Sequence, residues 1–266
     1  MRKILGGLAL AAGLALGLAG QAVAQTKSLL QTVQERGTVR VGTTGDYAPY
    51  TIRNLETGGF SGYDIDVANA LAADLGVKVE FVQTTWPTLV AGMVANKYDI
   101  AAAGITITLD RLKSVSFSEP YLKPLFVPII DKKDAGRFKT WKDLDQEGVT
   151  IALQMGTAPE EAVKRRFKKA KLVSVAEPVI DYTEVLAGRA TATVTDNLYF
   201  ASVIGREYPQ LATVDEGNPV QETYNGLMTV QGDQVWLNWV NAWVREKQSQ
   251  GFFEELHKKW FVDYKP

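Results

Sequence analysis

From Thr38 onward, short runs of β-branched residues alternate with stretches whose apolar positions recur every three or four residues. Residues 39–43 read as a first strand. Asp64 then reads as the N-cap of a helix in which Val67, Leu71 and Leu75 share one face, and Gly76 ends it. Val77, Val79 and Phe81 alternate as a half-buried strand, Pro87 opens a helix carrying Leu89, Met93 and Val94, and residues 98–103 form the next strand. After a proline-bearing crossing at 120–128 the series restarts with strand 149–154, helix 159–169, strand 171–176, helix 182–189 and strand 190–195. The tail adds a strand at 226–230, a tryptophan-rich amphipathic helix at 235–247 and a terminal helix at 251–261. This alternation predicts an α/β fold of βαβ units with largely parallel sheets, in two units joined by two crossings. Periodicity alone does not say whether the tail returns to the first unit.

The amino terminus breaks this pattern. Arg2 and Lys3 precede an uncharged apolar run over residues 4–20, and Ala22-Val23-Ala24 follows, which together predict a secretory signal cut after Ala24. The run is short for a membrane span and carries Gly6, Gly7, Gly13, Gly17 and Gly20. Export to the periplasm is the expectation. Removing residues 1–24 leaves 242 residues and a net charge of −3, because only Arg2 and Lys3 are lost from the charged set. That balance argues against nucleic acid as a partner.

Chemistry is constrained by what is scarce. There is no Cys, so disulfides, a lipid-anchoring cysteine and thiolate metal sites are excluded, and His257 is the single His. It falls in the terminal helix and reads as an ordinary packing residue. No metal or cofactor is expected: residues 42–45 are glycine-bearing, but neither phosphate-loop nor dinucleotide-binding spacing follows. In helix 159–169, Glu160 and Glu161 open the first turn and Lys164, Arg165, Arg166, Lys168 and Lys169 close it, as the helix dipole favours for a solvated helix.

Four phrases carry a resemblance: 42–50, 59–68, 104–111 (Gly-Ile-Thr-Ile-Thr-Leu-Asp-Arg) and 117–121 (Phe-Ser-Glu-Pro-Tyr). Together they resemble the family 3 type extracellular solute-binding proteins of polar amino-acid ABC importers. The resemblance implies a two-lobed type II periplasmic binding protein fold with two hinge crossings, each lobe a mixed, mostly parallel sheet flanked by helices. It places lobe 1 at 25–126 plus 223–266 and lobe 2 at 127–222, in a chain that acts as a monomer, takes a small amino-acid-like ligand and docks on an inner-membrane permease.

The resemblance also distributes roles. Arg111 is implied to grip the ligand α-carboxylate, for which its planar two-pronged donor set is suited, with Thr106 and the backbone at Gly104 completing the cradle. Asp196 is implied to take the α-ammonium, although a helix N-cap is its plain alternative. Tyr47 and Trp86 are implied to sandwich the ligand side chain, and Thr157 with the amides that follow Gly156 to meet an anion at a helix start. Relatives selective for basic side chains often carry Asp where this chain has Thr44, which argues against a Lys or Arg specialist. Phe126 and Tyr199 would suit a neutral side chain, and Asp46 keeps a cationic one open.

A narrower likeness points elsewhere. Residues 43–47, 85–87 and 145–149 are similar to cyclohexadienyl dehydratases, secreted enzymes of this same fold that act on prephenate or arogenate. That likeness implies a general-acid Glu three residues beyond the Thr195-Asp196 pair and a Lys soon after residue 121; the positions hold Tyr199 and Phe126. A phenol, with an ordinary pKa near 10, is a poor proton donor to a leaving hydroxyl. The expectation is therefore a binding protein without catalytic residues.

Overall fold

The computed structural model describes residues 27–266, so the signal sequence read at 1–24 lies outside the described residues. A first helix, Leu29–Arg36, begins with a reciprocal cap between Ser28 and Gln31 and stops at Gly37, whose φ is 69°. It had no counterpart in the sequence pattern. The chain then enters a five-stranded sheet in the order Lys78–Gln83, Thr38–Thr43, Ile100–Ala101, Met228–Thr229, Ser116–Phe117. The first three run parallel, whereas Met228–Thr229 is antiparallel to both its neighbours.

A second sheet is built on strands Lys171–Val175, Thr150–Gln154, Ala192–Asp196, Leu125–Asp131 and Leu211–Thr213, with Gln221–Glu222 also pairing on Leu125–Asp131. Its first three strands are parallel and Leu125–Asp131 is antiparallel to all its neighbours. Each sheet is therefore mixed but mostly parallel, as the resemblance implies, with one reversed strand in each: Met228–Thr229 in the first and Leu125–Asp131 in the second. The tail does return, since Met228–Thr229 sits inside the first sheet and the helix Gln234–Ser249 buries Trp236, Val240 and Val244 in the same core as Val33, Val41 and Leu71. Each large apolar side chain buried there stabilises the fold by about 1.5–3 kcal/mol.

The helix expected to be capped by Asp64 begins two residues earlier, at Tyr63, with Gly62 as its cap. Asp64 is not the cap but a fully buried residue of the first turn. The helix expected at 159–169 runs over Ala158–Arg166, which leaves Lys168 and Lys169 beyond its end, and the strand forecast at 98–103 contracts to Ile100–Ala101.

The two crossings lie side by side. Tyr121 donates its N–H to the Asn225 carbonyl, Asn225 donates back to Leu122, and Thr223 donates to Pro124. Beneath the cleft a compact cluster of Trp86, Leu89, Met93, Tyr98, Ile105 and Val115 supports the first sheet's edge. The result is the two-lobed α/β architecture of type II periplasmic binding proteins.

Candidate functional site

In parallel sheets the carboxyl ends of strands face one crevice, and here both sheets turn theirs toward a shared cavity of about 300 Å³. Its walls include Tyr47, Trp86 and Arg111 from the first sheet's side, Gln154, Asp181 and Asp196 from the second, and Phe126 and Asn225 from the crossings.

Arg111 opens a single helical turn, Arg111–Lys113, held by its N–H on the Thr108 hydroxyl at 3.2 Å. Its side chain is 5% exposed, and the guanidinium donates only to carbonyls: Thr106 at 3.0 Å and, across the cleft, Gly156 at 3.2 Å. Among the described residues no carboxylate reaches it at bonding distance. Burial draws Arg111 below the ordinary guanidinium value, and the more distant Glu161 opposes that change. A buried cation lacking an acidic partner is costly unless something else supplies the charge.

Asp196 ends the strand Ala192–Asp196 and caps the turn that follows, accepting from the Tyr199 N–H at 2.9 Å. Its carboxylate also accepts from the Tyr50 hydroxyl at 3.1 Å and from the Tyr47 hydroxyl, so it meets the first lobe as well. Burial lifts its pKa above the usual carboxylate value, and these donors pull it part of the way back. The N-cap alternative and a place in the cavity wall therefore coexist in one residue.

The aromatic wall is continuous. Tyr47 stacks on Tyr50 at 4.8 Å, and meets Trp86 at 5.7 Å and Tyr199 at 4.9 Å edge-on. Trp86 Nε1 donates to Asp46 at 3.1 Å.

Of the ten residues singled out from sequence, nine line the cavity: Tyr47, Trp86, Gly104, Thr106, Arg111, Phe126, Thr157, Asp196 and Tyr199. Thr44 is the exception, buried at the end of its strand outside the lining, with a hydroxyl that finds no partner. Gly104 is present differently from expectation: its N–H, with φ at 68°, donates to the Asp64 carboxylate and not toward the cavity. The Thr157 hydroxyl is likewise engaged, donating to the Gln154 carbonyl at 2.7 Å and capping the Glu160 N–H at 3.4 Å, while the Gly156 N–H goes to the Glu160 carboxylate at 2.8 Å. The anion-receiving helix start is thus largely saturated by its own helix.

Sequence reasoning missed other cavity residues, three of them polar groups on the second side. Glu177 follows the strand Lys171–Val175, Asp181 starts the helix Asp181–Leu186, and Gln154 ends its strand with a buried Oε1 that accepts nothing. All three sit at strand ends or in the βα turns after them, which was the available signal. Asp181 accepts from the Thr193 hydroxyl at 2.7 Å and the Tyr182 N–H at 2.8 Å, yet burial still pushes its carboxyl up to about 6. Among the described residues no cluster of metal-ligating side chains exists, and no helix is long and apolar enough to cross a membrane.

Comparison with known proteins gives this arrangement a context. The chain is 32% identical to a cyclohexadienyl dehydratase of Pseudomonas aeruginosa, over 91% of this chain and 90% of that protein. It is 28% identical to the L-cystine-binding protein TcyJ of Escherichia coli, over 88% and 86% of the two chains. Among solved structures, an ancestral amino acid-binding protein described as a precursor of cyclohexadienyl dehydratase superposes with a TM-score of 0.80 at 37% identity, covering 88% of this chain and all of the other. Residues 39–263 match the bacterial extracellular solute-binding proteins, family 3, and the chain belongs to that family.

Proposed function

We propose that this protein is exported to the periplasm, closes over a free amino acid and delivers it to an ABC importer without altering it chemically. The single observation that carries the reading is Arg111, a buried guanidinium in the cavity wall with no carboxylate of its own. An amino acid's α-carboxylate supplies the missing partner through paired charge-assisted hydrogen bonds. On the opposite wall Asp196 supplies the anion for the α-ammonium, displacing one of its tyrosine donors. Ligand charge then joins the lobes, 25–126 plus 223–266 and 127–222, and shifts an open–closed equilibrium. The paired crossings serve as the hinge.

A second reading, a prephenate or arogenate dehydratase, is favoured by one relative's identity and by Asp181, a cavity carboxyl poised near neutrality. Against it, Tyr199 occupies the implied general-acid position, and burial raises its hydroxyl well above an already high pKa. Phe126 stands where the likeness implies a Lys, and it is buried. A thermal-shift screen of ligand-stripped protein against the twenty amino acids, with prephenate and arogenate turnover followed in parallel, separates the readings. Ligand at 100 times its Kd adds about 2.7 kcal/mol, so the cognate amino acid stands out. Turnover to phenylpyruvate or phenylalanine overturns the binding reading.

A further inference from the structure

The cavity has more negative charge than a zwitterion can use. Asp46, Glu177, Asp181 and Asp196 all line it, and Arg111 is its one cationic side chain. An amino acid's backbone groups engage Arg111 and Asp196 in the function proposed above, on which this inference rests. That leaves Asp46, Glu177 and Asp181 in the cavity wall with no ligand backbone group to meet.

Asp46 and Glu177 come from opposite walls. Asp46 belongs to the short strand Asp46–Tyr47 on the first side, and Glu177 follows the strand Lys171–Val175 on the second. Both residues line the same cavity, one from each side. Neither has a Lys or Arg partner among the described residues. Asp46 is aimed by the Trp86 indole, which donates to it at 3.1 Å. Two like charges so placed repel unless a proton or a cation lies between them. Consistent with that, partial loss of water in the cavity wall and the adjacent Asp46 charge push the Glu177 carboxyl above its usual range.

A second, independent group points the same way. The Gln154 Oε1 is buried in the cavity wall and accepts no hydrogen bond, so it too lacks a donor. Thr44, the residue whose identity spoke against a basic ligand, lies outside the cavity lining, which removes its bearing on side-chain selection.

We propose that the cleft selects an amino acid with a cationic side chain, and that Asp46 and Glu177 clasp that cation between them, so that the ligand's far end also holds the two lobes together. A guanidinium or ammonium there replaces a like-charge contact with two attractive ones. It supplies donors to the unpaired acceptors, and the excess negative charge of the cavity favours its entry.

The test is isothermal titration of the ligand-stripped chain with arginine, lysine and their uncharged counterparts citrulline and norleucine, repeated for Asp46→Asn, Glu177→Gln and the double variant. Both side chains are solvent-exposed at the rim, so the variants should fold, and their melting temperatures check this. The parent is expected to prefer arginine over citrulline, or lysine over norleucine, by at least about tenfold, roughly one well-placed charge pair. Each single variant shrinks that ratio and the double variant brings it toward unity. If the parent binds a neutral amino acid as tightly as its cationic counterpart, or the variants leave the ratio unchanged, the charge clasp is wrong while amino-acid binding stands. If no amino acid of any charge binds, the binding function itself falls and takes the clasp with it.

Discussion

The half of the cleft that precedes the crossing strand brings rings and a charge, whereas the half that follows it brings helix beginnings and acids. On the first side Arg111 is packed against Thr106 and its charge is left unanswered, and Tyr47, Tyr50 and Trp86 form a wall continuous with the core. On the second side, Glu177 and the Gln154 Oε1 aside, the polar groups already have local employment: Thr157 and Gly156 serve their own helix, and Asp196 caps its own turn. The difference teaches where a ligand gains most. A group that answers Arg111 relieves an existing electrostatic cost, while a group that meets Asp196 or the Gly156-Thr157 turn must share or displace hydrogen bonds already made.

The largest expected effect tests that asymmetry directly. Arg111→Met keeps most of the side-chain volume and removes the charge. Amino-acid affinity is expected to fall by about 2–5 kcal/mol, the usual cost of removing one member of a buried charge pair. The ligand-free protein, by contrast, should unfold at the same temperature or higher, because an uncompensated buried cation has gone. Calorimetric titration and a melting curve read both quantities. Unchanged affinity removes Arg111 from the site, and a large drop in ligand-free stability makes it a structural residue instead.

Each half also hides one acid that burial raises to about 6, Asp64 in the first and Asp181 in the second. Asp64 holds the Gly104 N–H and the Tyr121 hydroxyl, the latter at 2.7 Å. Both folded pKa values exceed the unfolded value near 3.8. The folded state therefore binds more protons between pH 4 and 6, and the contribution of each group is full below pH 4 and lost as pH rises through 6. With about 1.36 kcal/mol for each pH unit that separates the folded from the unfolded value, each acid accounts for about 3 kcal/mol of that descent. The unfolding free energy of Asp64→Asn relative to the parent should rise by about that amount from pH 4 to pH 7, and Asp181→Asn should do the same. If only one variant moves, the two halves differ in how dry they are, and the comparison sharpens.

These acids mark the limit of what the sequence could disclose. Arg111, Tyr47, Trp86 and Asp196 sit inside phrases whose residue order is distinctive, and the place of Asp196 at a strand end follows from the βαβ pattern. Asp64 had only its place at a helix start to be judged by, and that place suggests a cap; its reach to Gly104, 40 residues away, is a property of the folded chain. Glu177 and Asp181 flank the aperiodic stretch Pro178-Val179-Ile180, where hydrophobic spacing says nothing. Sheet direction was hidden for a related reason: side-chain alternation is identical in parallel and antiparallel strands, so the reversed run of Leu125–Asp131 and Met228–Thr229 left no trace.

The smallest of the expected effects isolates the contact between the halves. Gly156 has a φ of +79°, and a Cβ built there would lie 2.7 Å from the backbone N of Pro87 on the opposite wall. Gly188, in the same half, has a φ of +69° with nothing within 4 Å of its Cβ position. Gly156→Ala and Gly188→Ala should therefore share the left-handed strain of about 1–2 kcal/mol in stability, but only the first obstructs the approach of the two walls. Affinity should fall about tenfold more in Gly156→Ala than in Gly188→Ala, a difference of about 1.4 kcal/mol, and scattering of the liganded Gly156→Ala protein should show a wider particle. Equal affinities in the two variants would mean that the ligand is held without the walls meeting at Gly156 and Pro87, and Arg111 would then act from the first half alone.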